Sequence, residues 1–199
     1  MRRQITFAGQ VYDRTQALID GTVKPEGLDL NWLILHYPEI WRRMLNDYDF
    51  DASELSLSSY LIARSMGKPL IAIPVFPART FRHSYVFINR RSGINQPSDL
   101  IGKRVGVADF QQTATVWMRG ILQHEYNVPL EKIHWFTWAT TRMEIDLPKH
   151  YRIEAIPAGK DPEEMQDWRV GRGDSCGFIP IVIEGSARGH ASLRELQRR

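Results

Sequence analysis

The chain has 199 residues, of which 43% are hydrophobic and 25% charged, a composition that excludes a wholly disordered protein. Its net charge of +3 is local. Six of the 26 Lys and Arg but only three of the 23 acids fall in residues 168–199, so residues 1–167 are neutral and no basic nucleic-acid face is expected. The lone Cys176 and the lack of a His-x-x-x-His pair exclude an internal disulfide and leave no metal site predicted. No run of 18 apolar residues suggests a membrane span, and the opening MRRQITFAGQVYD has no apolar stretch of the kind that follows in a secretory signal. The expected location is the cytoplasm.

In chain order, residues 4–8 read as a strand ending at Gly9, and 12–19 as a helix stopped by Gly21. Leu28, Leu30, Trp32 and Ile34 alternate with Asp29 and Asn31, which is strand periodicity. Pro38 opens a helix with Ile40, Trp41, Met44 and Leu45 on one stripe. A short strand at 50–55, a helix from Leu57 to Gly67, an apolar β-rich stretch at 69–76 and a strand at 82–89 follow. Residues 90–97 break the pattern with Gly93 and Pro97 and mark a lobe boundary. A second unit then reads as strand 103–108, helix 113–126 and strand 132–138. Strands alternating with helices predict an α/β protein with a mainly parallel sheet. The expected lobes are 1–89 and 90–167, with a divergent tail at 168–199.

In such folds ligands sit beyond the carboxyl ends of the strands, and four polar clusters fall there. Tyr12-Asp13-Arg14 opens the first helix; Asp13 is read either as a helix cap or as a site residue, and Arg14 as a ligand-binding candidate. Glu54 to Tyr60 joins a strand to a helix and carries Ser56 and Ser58, which are either a serine cap or donors to a carboxylate. Arg79, Arg82 and His83 lie within five residues of one another, a set suited to a planar acid or to an ordinary solvated loop. Gln112 and Thr113 start a helix whose N–H groups offer a second anion site, with Trp117 assigned to the core and Gly120 to close packing.

The strings YDRTQALIDG, PEGLDL, FDASELSLSSY, IPVFPARTFRHS, DLIGKRVGV and TATVWMRGILQHEYNV resemble the 4,5-dihydroxyphthalate decarboxylases over about residues 5–165. That family is in turn similar to type II periplasmic binding proteins of ABC importers. The resemblance implies a two-lobe Venus-flytrap α/β fold hinged near residues 87–90, a small aromatic acid as substrate, and no organic cofactor. The carried-over roles are Glu54 as acceptor of a phenolic proton and His83 as donor to the ring carbon. Arg79 and Arg82 would clamp the carboxylate that stays, while Ser56, Ser58, Gln112 and Thr113 orient the ring. The runner-up is an importer's binding protein for an aromatic or sulfonated ligand, and the third reading is an inactive fragment.

The resemblance fades after about residue 165. Residues 168–199 hold six Arg, no Lys and five of the 14 Gly, as GC-rich DNA gives in a shifted frame. The expectation is therefore a truncated or frameshifted homologue that lacks the family's return to the first lobe. The alternative is a divergent tail with a short apolar strand at 178–183.

Overall fold

A computed structural model describes residues 2–89, 93–139, 141–157, 181–183 and 190–192. The chain divides into two units, Met1–Arg79 and Thr80–Arg199.

The first unit is built on a three-stranded parallel sheet in the order β2-β1-β3, from β1 (Arg3–Gly9), β2 (Leu28–Ile34) and β3 (Ala52–Ser53). The register pairs Gly9 with Ile34 and Ala8 with Ser53, so all three strands end level. Helix α1 is short (Gln16–Ile19). Helix α2 (Tyr37–Asn46) carries Pro38 in its first turn, buries Ile40 and Leu45, and is braced on its outer face where Arg43 meets Glu39 at 3.1 Å and Asp49 at 2.8 Å. Helix α3 (Leu57–Ser65) buries Ser58, Ser59 and Ala63 and is followed by Gly67 in the left-handed region at φ +77°. Ala8, Ile40 and Phe50 form the core of this unit.

The second unit carries a six-stranded mixed sheet in the order β7-β6-β5-β8-β4-β9. Its strands are β4 (Val86–Asn89), β5 (Arg104–Val107), β6 (His134–Thr137), β7 (Arg152–Ala155), β8 (Ile181–Ile183) and β9 (His190–Ser192). Strands β5, β6 and β7 run parallel to one another. Helix α4 (Thr113–His124) packs Met118 and Leu122 into a core with Val105, Val107, Ile133 and Trp135. The molecule is thus mixed α/β with parallel strands in both units.

Several expectations change. The helix foreseen at 12–19 begins only at Gln16, because Tyr12 to Thr15 closes a turn first, with Thr15 N–H donating to Tyr12 O at 3.0 Å. Residues 69–76 form no strand; Pro69 and Pro74 cannot donate to a ladder, and Ile71 is 90% exposed. The stretch 82–89 is a 3-10 turn (Arg82–Tyr85) followed by β4. The units part ahead of residues 90–97 because β4 pairs with β8 and β9 rather than with the first sheet. Trp117 is 55% exposed instead of core, since Met118 and Leu122 take the inward face of α4. Gly120 has open space where a Cβ would stand, so close packing does not explain it. Strand β8 falls inside the stretch 178–183 and lies between β5 and β4, not on an open edge. The rest of 168–199 lies outside the described residues apart from β9. No helix among the described residues is long and apolar enough to cross a membrane.

Candidate active site

The level carboxyl ends of β1, β2 and β3 gather Gln10, Tyr12, Tyr37, Glu54 and Ser56 in one region. Glu54 leaves β3 with its backbone N–H still donating to Ala8 O at 3.0 Å, which fixes its α-carbon against the central strand. Its side chain is only 8% exposed. One carboxylate oxygen, Oε1, accepts the backbone N–H of Gln10 at 2.7 Å, and the other, Oε2, accepts the Tyr12 hydroxyl at 2.7 Å. The Tyr12 oxygen also meets the Tyr37 hydroxyl. The Gln10 amide donates to Leu35 O, tying the end of β1 to the end of β2.

Gly9 is what lets the carboxylate in. A Cβ there would lie 2.6 Å from Phe7 Cε1, 2.9 Å from Glu54 Oε1 and 3.1 Å from Trp32 Cζ2. The carboxylate and two aromatic edges thus close on a bare α-carbon. Burial among them pushes the Glu54 carboxyl above its ordinary value; the Gln10 N–H, the Tyr12 hydroxyl and the charge of Arg14 act in the opposite direction. Burial and the bond to the Glu54 carboxylate likewise drive the Tyr12 hydroxyl well above its ordinary value, so Tyr12 remains a donor.

Arg14 is the cation of this cluster. Its guanidinium stands 5.0 Å from the Tyr12 ring centroid, donates through Nε to Pro77 O at 2.8 Å and pairs with Asp13 at 2.7 Å. Asp13 is therefore an ion-pair partner and not a helix cap; Thr15 holds the cap position of α1. The Pro77 contact brings the loop that ends at Arg79 towards Arg14, and Arg79 itself donates to Phe76 O at 3.0 Å. Ser56 occupies the cap position of α3 without a side-chain cap bond; its hydroxyl lies 3.2 Å from that of Ser58, and both serines are buried. The serine-cap reading gives way to a hydroxyl pair beside the Glu54 turn.

The remaining sequence candidates belong to the second unit. Gln112 and Thr113 begin α4, and Gln112 makes no side-chain cap bond. His83 lies at the other end of the same helix, its Nε2 3.9 Å from Oε2 of Glu125, the residue that caps the C-terminus of α4. Twelve residues of helix span roughly 18 Å, so His83 and Thr113 are not brought together. Arg82 opens the 3-10 turn that carries His83.

Sequence reasoning places Tyr12 in a candidate polar cluster without giving it a role, and it misses Tyr37, Gly9 and Gln10 around Glu54, although the run from Gly9 to Tyr12 directly follows a foreseen strand. It also missed Asp109, which follows β5 and is 3% exposed. Among the described residues no group of three or more His, Cys, Asp or Glu could hold a metal ion.

No protein-family model matches the chain. Two curated relatives do. A 4,5-dihydroxyphthalate decarboxylase of Comamonas testosteroni is 42% identical over 97% of this chain and 60% of its own length. A 4,5-dihydroxyphthalate decarboxylase of Pseudomonas putida is 37% identical over 73% of this chain and 59% of its own length. The chain thus spans about three-fifths of the relatives it matches. The Comamonas match runs past residue 165, since only 3% of the chain lies outside it. These relatives carry the same name as the family that the sequence strings resemble.

Proposed function

We propose that this relative of the 4,5-dihydroxyphthalate decarboxylases serves the non-oxidative decarboxylation of a hydroxylated aromatic acid. The observation that carries the reading is 42% identity across 97% of the chain to a protein of that name. Both relatives are named as decarboxylases, which favours a carboxy-lyase over an importer's binding protein. The two units would be the lobes of a flytrap fold like that of the type II periplasmic binding proteins.

In 4,5-dihydroxyphthalate each carboxylate is para to a hydroxyl. Removing that hydroxyl's proton pushes electron density to the carbon bearing the carboxylate. A proton delivered to that carbon interrupts aromaticity; the C–C bond then breaks, its electron pair returns to the ring and CO2 leaves. The reaction needs a base, a carboxylate clamp and a proton donor. Glu54 suits the base: it is held by two donors, buried, and shifted toward neutrality, the direction that favours proton exchange. Arg14 and Arg79 suit the clamp from the same unit, with Ser56 and Ser58 as hydroxyl donors. Arg82 is assigned to the clamp by the resemblance alone, and it lies in the second unit. For the proton donor, the length of α4 separates two candidates, His83 at one end and the Gln112–Thr113 turn at the other. A single benzene ring cannot touch both.

The test is CO2 release from 4,5-dihydroxyphthalate. Glu54→Gln is expected to lower turnover by about 10²–10⁴-fold. Only one of His83→Ala and the pair Gln112→Ala with Thr113→Ala should do the same. Near-parental turnover by folded Glu54→Gln would overturn the role of Glu54, and no CO2 release by the parent chain would overturn the activity.

A further inference from the structure

The Arg14 guanidinium is fixed on one side and loosely covered on the other. Residues 12–15 close the turn that follows β1, and this turn sets Arg14 beside the Tyr12 ring, 5.0 Å from its centroid. On the inner side, Nε donates to Pro77 O at 2.8 Å. The hydroxyl of the same ring donates to Glu54 Oε2 at 2.7 Å. One aromatic ring therefore links the buried carboxylate to the guanidinium, and the Arg14 charge acts on Glu54.

The outer side is held by Asp13. Nη1 of Arg14 donates to Asp13 Oδ1 at 2.7 Å, and the same oxygen accepts the Arg14 backbone N–H at 2.8 Å. Asp13 thus engages one of the two outer nitrogens, through one oxygen. Both side chains reach water, Arg14 being 40% and Asp13 89% exposed. An ion pair between exposed side chains contributes little. A carboxylate that bridges Nη1 and Nη2 makes two parallel charge-assisted bonds, where Asp13 makes one to the guanidinium. An incoming carboxylate therefore has the stronger claim on this edge.

We infer that Asp13 is a tethered counter-ion of Arg14 which a ligand's carboxylate displaces, so that Asp13 sets the affinity of the Arg14 clamp for aromatic acids. The inference deepens the decarboxylase reading, on which it rests for the substrate class. The clamp holds the carboxylate that stays, so it grips the product as well as the substrate. A competitor one residue away weakens both equally and lets the product go, since the pair re-forms as the carboxylate departs. Asp13 acts through Arg14 and is a positioning residue.

The experiment is calorimetric titration of the full chain with phthalate, which has both carboxylates but no hydroxyl to start the reaction. Asp13→Asn keeps an oxygen for the Arg14 N–H and loses the charge; it should bind phthalate about two- to five-fold tighter than the parent at low ionic strength. The gain should shrink in about 0.5 M salt. Asp13→Glu restores the charge and should return to the parental affinity. Arg14→Gln should weaken binding, and adding Asp13→Asn to it should change little, because the two residues act on one contact. A folded Asp13→Asn chain that binds no tighter than the parent overturns the inference. So does an Asp13→Glu chain that keeps the gain, a gain of equal size in the Arg14→Gln background, or a parent and an Asp13→Asn chain that both leave phthalate unbound. An Arg14-dependent gain in a chain that releases no CO2 from 4,5-dihydroxyphthalate keeps the counter-ion and loses the decarboxylase reading. CO2 release without the gain does the reverse.

Discussion

Glu54 and Asp109 hold matching places in the two units, each just past a parallel strand and just before a helix, and each almost fully buried. Their hydrogen bonding differs. Glu54 has a donor on each oxygen, one from the backbone of Gln10 and one from Tyr12, with Tyr37 behind Tyr12. Asp109 has a donor on one oxygen and none on the other among the described residues. The first is a finished network, which fixes the carboxylate in place and would suit the proton acceptor of the proposed function. The second is incomplete among the described residues. One position at a strand's carboxyl end thus carries two different degrees of hydrogen bonding.

The most direct way to break the comparison is to spoil the finished network sterically. Gly9→Ala puts a methyl 2.6 Å from Phe7 Cε1 and 2.9 Å from Glu54 Oε1. One of these groups must move, and Phe7 is held in a strand. We expect a loss of about 1–3 kcal/mol in urea unfolding, the usual cost of overpacking. Turnover should fall with it. Nothing of the kind is expected at Gly120, where alanine meets open space. Gly120→Ala should be neutral or stabilising by up to about 1 kcal/mol, the helix-propensity gain of alanine over glycine.

Titration sharpens the same contrast. Burial is the largest influence on both carboxyls and raises both above their ordinary values of 4.5 and 3.8. An acid raised on folding holds its proton longer in the folded state, so its contribution is most favourable below the ordinary value. Stability then falls as pH climbs through the folded value. Neutralising Asp109 should therefore stabilise the chain at pH 7, with the gain fading as pH drops from the raised folded value of the carboxyl towards its ordinary 3.8, below which it is gone. Asp109→Asn keeps an oxygen for Gln111 N–H and places its NH2 where no donor is displaced. Glu54→Gln should gain less, because its NH2 must face either the Gln10 N–H or the Tyr12 hydroxyl, both of which are donors. Urea midpoints measured between pH 4 and 8 would decide. An equal gain in the two variants would mean that their hydrogen bonding does not distinguish them.

The sequence carried the strand–helix alternation well because period and punctuation are local. Leu28 to Ile34 and the Pro38 helix read directly, and Glu54 stood out as a charge at a strand end. What it could not carry depends on partners far along the chain. Tyr12 lies 42 residues from the carboxylate it serves, and Gly9 matters only because Glu54 and Trp32 arrive beside it. Residues 69–76 have strand composition and form no strand, because a strand needs a neighbour as well as a propensity. Spacing alone assigns Trp117 inward, but the buried face of α4 holds Met118 and Leu122 and turns Trp117 out. The resemblance puts His83 and Thr113 in one site, yet the length of α4 holds them apart.

The smallest expected effect concerns the far end of the Glu54 network. Tyr12 has one proton, and it is committed to Glu54 Oε2 at 2.7 Å. The hydroxyl of Tyr37, which meets the same Tyr12 oxygen, must therefore be the donor in that pair. Donation into the Tyr12 oxygen polarises its O–H and strengthens the bond to the carboxylate. Tyr37→Phe removes that support without touching Glu54. The stability cost should be about 0.5–1.5 kcal/mol, that of one hydrogen bond. The more telling readout is the acid limb of the pH–rate profile for CO2 release. A weaker Tyr12 donor stabilises the ionised Glu54 less, so the limb should move to higher pH in Tyr37→Phe, and further in Tyr12→Phe. A limb that moves for Tyr12→Phe and stays fixed for Tyr37→Phe would confine the network to the Tyr12–Glu54 pair and leave Tyr37 a packing residue at the start of α2.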